Sequence, residues 1–129
     1  MSTPSCPLDL ANEISAALAR GLAAVPTATI RNWHVAAIGL TAQFSAIMAA
    51  AAQSYVARGG DPQKVAPLEP AIAQLNARML PVLQGLGTPA WDAAMHGEAS
   101  VTALREEVAA LQGLAKLMGL FERMSSKLH

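Results

Sequence analysis

TIRNWHVAAIGLTAQFSAIMAAAAQSYVAR, residues 29–58, is the stretch whose reading decides the fold. From Val35 to Ala52 it carries no formal charge, so it is either the central helix of a small bundle or a membrane span. Ile30, Trp33, Ala37, Leu40, Phe44, Ile47, Ala51 and Ser54 recur alternately three and four residues apart. That heptad rhythm predicts a buried seam along one helix from Thr29 to Arg58, roughly thirty residues and about 45 Å long. His34, Ile38, Thr41, Ser45, Met48 and Ala52 run beside the seam and widen it. The opposite side reads Asn32, Ala36, Gly39, Gln43, Ala46, Ala50 and Gln53, small or amide-bearing throughout. With no Lys, Arg, Glu or Asp to keep it hydrated, this face is the expected partner interface. Thr41, Gln43 and Ser45 fall in the middle of the run, and much of its hydropathy comes from Ala, so a bundle helix is favoured over a span.

The composition agrees with a helical centrepiece. Hydrophobic residues make up 53% and aromatic residues 4% of the 129. The excess is mostly Ala, the strongest helix former, and strand formers are scarce. One all-α domain over residues 1–129 is the expectation, long enough to bury a single core without disulfide or metal staples. Nine acidic and nine basic residues balance to zero net charge, which argues against the concentrated basic face that nucleic-acid binding needs. The single cysteine, Cys6, excludes an internal disulfide and a multi-cysteine zinc site. Asp9 and Glu13 interrupt any apolar signal core near the N-terminus, so a cytoplasmic location is expected.

Outward from the long helix, a first helix is expected from about Pro7 to Ala24. Ser5 or Cys6 stands at its cap, and Leu10, Ile14, Ala17, Leu18 and Leu22 form its apolar face. Pro26 ends it, with Thr29 capping the next. Gly59-Gly60 stops the long helix, and Asp61-Pro62 starts a single further turn. A restart at Pro67 or Pro70 opens a third main helix to about Gln84, with Leu68, Ile72, Leu75, Met79, Val82 and Leu86 in its seam and Pro81 inside it. Thr88-Pro89 begins a short helix that carries Trp91 and Met95 and ends at Gly97. The last helix runs from about Ser100 to Ser126, with Leu104, Val108, Leu111, Leu114, Met118, Phe121 and Met124 inward. Its basic end includes Lys127 and His129. The sum is an up-down four-helix bundle with one additional short helix.

Chemistry is sparse. His34 has no His, Asp, Glu or Cys three or four positions away, so a helical metal pair is missing. It is expected to be structural, bonded to a carbonyl or to a carboxylate such as Glu13. His96 stands at a helix end and reads as a C-terminal cap. In histidine phosphotransfer domains a basic residue and a glycine follow the histidine by three and four positions; Ala37 and Ile38 stand there instead, with Gly39 one place late. No nucleophile elbow, phosphate-cradling glycine loop, His-Glu-x-x-His motif or haem attachment site occurs. No cofactor, metal or catalytic residue is therefore expected. The function anticipated is a non-enzymatic helical interaction protein, either a homodimer or an adaptor to another helical protein. Two alternatives remain. One is a small apolar ligand held between helices by Thr41, Ser45, Met48, Met79 and Met118 near the Pro81 irregularity. The other is association of the amphipathic last helix with a lipid or granule surface.

Overall fold

The computed structural model describes residues 6–126, so Ser5, Lys127 and His129 lie outside the described residues, as do the side chains of Ser125 and Ser126. The described chain is about 83% helical and contains no strand. Six helices follow one another: α1 (Pro7–Arg20), α2 (Thr27–Ala57), α3 (Pro62–Val65), α4 (Leu68–Gly85), α5 (Pro89–Ala93) and α6 (Glu98–Ser126). Two short helices, α3 and α5, therefore accompany the four main ones, where the sequence led us to expect one short helix and an isolated turn.

Local chemistry explains most of the boundaries. Cys6 occupies the cap position of α1 without a side-chain hydrogen bond, and Pro7 fills the first turn, where its missing N–H costs nothing. The helix stops at Arg20, four residues before the expected end, because Gly21 adopts a φ of 91°, which breaks the helical hydrogen-bond series. Pro26 rather than Thr29 caps α2: its carbonyl accepts from Thr29 N–H and Ile30 N–H at 3.0 and 3.2 Å. At the other end Gly59 (φ 99°) and Gly60 close a Schellman turn, with Gly60 N–H donating to the Tyr55 carbonyl and Gly59 N–H to that of Val56. Those bonds satisfy carbonyls that the helix end would leave without donors. Asp61 caps α3 by accepting from Gln63 N–H at 2.9 Å, and Thr88 caps α5 by accepting from Trp91 N–H at 3.3 Å. The last helix begins at Glu98, which places Ser100 inside its first turn.

The two long helices lie side by side and run in the same sense, since His34 meets Ser100 and Glu107 near their starts while Tyr55 meets Phe121 near their ends. α1 and α4 each pack against both of them. α1 brings Leu10, Ala11, Ile14 and Ala17 into a core with Ile30, Trp33, Ala37, Leu104 and Leu111. α4 passes from Ile72, beside a smaller cluster of Tyr55, Leu68 and Phe121, to Arg78, which pairs with Glu106 at 3.3 Å. Tyr55 and Phe121 meet edge to face at 6.0 Å.

The buried face of α2 departs from the expected seam in its second half. Ile47 is 50% exposed and Ser54 is exposed, while Met48 and Tyr55 are buried in their place. A strict seven-residue repeat drifts by about 20° per heptad on a straight helix of 3.6 residues per turn. Five full turns after Ile30 the core-facing residue is therefore Met48, and Ile47 has rotated outward.

Candidate functional site

Two regions of α2 carry the functional argument, one outside the core and one within it. On the outer face Asn32, Gly39, Gln43, Ala46, Ala50 and Gln53 are exposed and Ala36 is half-buried. The face is broader than the small-residue stripe read from the sequence, because Val35, 54% exposed, and Ile47, 50% exposed, stand on its flanks. α2 holds the most apolar segment of the chain, long and apolar enough to cross a membrane by length and composition, yet only 28% of its apolar window is buried. The remainder of that window, including Val35 and Ile47, is exposed or half-buried on this face.

The inner region is a closed polar cluster. His34, in the first half of α2, is fully buried, as is Glu107 on α6; Ser100 is almost completely buried. His34 Nδ1 lies 2.7 Å from Glu107 Oε1, and His34 Nε2 lies 2.9 Å from Ser100 Oγ. Trp91 of α5 closes the cluster with its indole edge-on to the imidazole, centroids 5.3 Å apart. Gly85 makes room for that indole, since a Cβ there would collide with it. Glu107 Oε2 has no hydrogen-bond partner. Burial pushes the Glu107 carboxyl above its ordinary range, against the opposing hydrogen bond and charge of His34, because the low-dielectric surroundings disfavour the charged form.

This carboxylate is not the one expected for His34. Glu13 instead accepts from Trp33 Nε1–H at 3.0 Å. The register of α6 held the signal: Ser100, Leu104, Glu107, Leu111 and Leu114 step four, three, four, three, so Glu107 sits in the apolar row. A polar residue in each of two facing seams, His34 on α2 and Glu107 on α6, is a pairing signal that the adjacent Glu106 disguises. His96 does not close its own helix end; its Nε2 lies 2.6 Å from the carbonyl of Val25, in the connection before α2.

Of the residues expected to line a ligand cavity, Thr41, Ser45, Met48 and Met79 are buried and Met118 is half-buried. None of them lines any of three grooves on the surface. Ser45 Oγ accepts from Asn76 Nδ2–H at 3.2 Å, and Thr41 Oγ1 has no partner. The surface grooves lie elsewhere. One, about 670 Å³, runs between α2 and the α3–α4 corner, lined by Ala49, Ala52, Gln53, Val56, Val65, Leu68 and Ile72 among others. A second, about 270 Å³, separates the start of α4 from the end of α6, and a third, about 480 Å³, lies beside Trp91, Arg78 and Glu106. Among the described residues no three His, Cys, Asp or Glu side chains gather where they could hold a metal ion. Comparison with protein-family models, with curated proteins and with solved structures finds no match.

Proposed function

We propose that this chain is a non-enzymatic helical interaction protein that self-associates through the outer face of α2, within an up-down arrangement of its four main helices. The observation that carries the reading is the exposure of the most apolar helix: Val35, Gly39, Ala46, Ile47 and Ala50 face outward with no formal charge between Val35 and Ala52. A charged partner surface would leave its own ions dehydrated against this strip. A second copy would not. Two α2 helices crossing antiparallel at Ala42–Gln43 set Asn32 against Gln53, Val35 against Ala50 and Gly39 against Ala46 of the other copy, so one patch complements itself about a two-fold axis. Gly39, Ala42 and Ala46 let the backbones approach closely, and the amides at both ends supply hydrogen bonds. The Ser100–His34–Glu107 relay has the residue types of a nucleophilic triad, but its enclosure denies it a substrate and supports a structural role.

The test is the oligomeric state of the wild type against Gly39→Glu and Ala46→Glu. We expect a dimer that both substitutions convert to a folded monomer. A wild type that stays monomeric at high micromolar concentration overturns the homodimer, and recovery only with detergent replaces it with a lipid surface as the occupant. A second reading, a small apolar ligand, draws on the groove of about 670 Å³ beside Val56 and Ile72, which falls in the size range of ligand sites. Apolar probes should raise the melting temperature if it holds, and a Val56→Asp variant should abolish that rise.

A further inference from the structure

The inner cluster contains a choice that its geometry makes depend on pH. His34 Nε2 and Met95 Sδ both lie within reach of Ser100 Oγ, at 2.9 and 3.9 Å, and the hydroxyl has a single hydrogen to give. When the His34–Glu107 pair is neutral overall, one proton lies between Nδ1 and Oε1 and a second sits on Nε2. Nε2–H then donates to Ser100 Oγ, and the hydroxyl hydrogen is free for Met95 Sδ. When the pair loses one proton, the remaining one stays between Nδ1 and Oε1, where the contact is shortest at 2.7 Å. Nε2 is then bare, the hydroxyl must turn to it, and the sulfur loses its donor. The enclosed core gains one negative charge at the same moment, with Glu107 Oε2 already lacking a partner.

We propose that His34, Glu107, Ser100 and Met95 form a closed pH switch, in which loss of one shared proton turns the Ser100 hydroxyl from Met95 to His34. The charged groups on the surrounding elements are engaged elsewhere or face solvent. Arg31 of α2 pairs with Asp92 of α5 at 3.4 Å, Arg78 of α4 pairs with Glu106 of α6 at 3.3 Å, and Glu13 of α1 holds Trp33 at 3.0 Å. His96 holds the Val25 carbonyl at 2.6 Å, and Asp9, Arg20, Glu98 and Arg105 are exposed.

The experiment is a pH titration of the full chain by NMR, following the His34 ring nitrogens, the Glu107 carboxyl carbon and the Met95 methyl. We expect all three to move with one midpoint while the protein stays folded. Met95→Leu keeps the volume and removes the sulfur acceptor, which weakens only the protonated state, so the midpoint should shift to lower pH. Ser100→Ala should silence the Met95 response and leave a His34–Glu107 step. Separate midpoints for His34 and Glu107, a silent Met95 methyl in the wild type, no step before unfolding, or an unmoved midpoint in Met95→Leu each overturn the switch.

Discussion

Burial removes water from Glu107 at a cost that His34 only partly offsets, and the sign of the resulting pH dependence is fixed. Its carboxyl is raised above 4.5 in the folded chain, so the native state holds the proton more tightly than the unfolded one. That contribution to stability is complete below about pH 4.5 and is lost as pH rises through the raised value. Measured against Glu107→Gln, whose amide does not titrate, the wild-type urea midpoint should fall as pH rises through this window. Thr41 offers a simpler case. Its buried hydroxyl has no partner, so Thr41→Val should stabilise the protein by about 1 kcal/mol in urea denaturation. Neither feature was legible in outline. His34 is legible as buried from its place beside the seam, but its partner lies 73 residues away, and only the register of α6, with Glu107 in the apolar row, points to it. Adaptable methionines and Pro81 make Thr41 an expected cavity residue; in the fold it is fully buried, and the missing partner of its hydroxyl is a three-dimensional fact that no spacing encodes.

The existence and order of the main helices are legible in the sequence, because caps, prolines and glycines punctuate the chain so heavily. Asp61-Pro62 and Thr88-Pro89 each start a helix as the capping rules require. The departures have local causes. Gly21 ends α1 early through its positive φ, and the start of α6 moves back to Glu98. The drift of the α2 seam from Ile47 to Met48 could have been foreseen by applying a 3.6-residue period over five turns instead of a fixed heptad. α5 depends on close packing of a kind that spacing cannot reveal. A Cβ at Gly85 would enter the Trp91 indole, so Gly85→Ala should cost about 1–3 kcal/mol by thermal or chemical denaturation. The loss should be accompanied by a change in the His34 ring environment, since Trp91 packs on both. An unchanged melting temperature would show that α5 yields without strain.

At the scale of the whole molecule, the chain divides its apolar residues between a core that the four main helices share and a face of α2 that none of them covers. Both lie on one segment, and side-chain size separates them only in part, since Ile47 and Val35 are large and about half exposed while Ala37 is fully buried. Ile30, Trp33, Leu40 and Met48 pack inward, while Gly39, Ala46 and Ala50 point outward beside Val35 and Ile47. The sequence could not say whether another part of the chain would close over the small face. Substitution on that face should leave the fold intact: Ala46→Glu lies at an exposed helical position, where the change in folding stability should stay within about 0.5 kcal/mol. Its effect belongs to association. The most direct measurement is sedimentation equilibrium of the wild type beside Ala46→Glu, each at high micromolar concentration without detergent. Wild-type protein should sediment at twice the chain mass and Ala46→Glu at the chain mass, with the same helical content. A wild type that sediments at the chain mass, or an Ala46→Glu variant that remains dimeric, would contradict the assignment of α2's outer face as the interface.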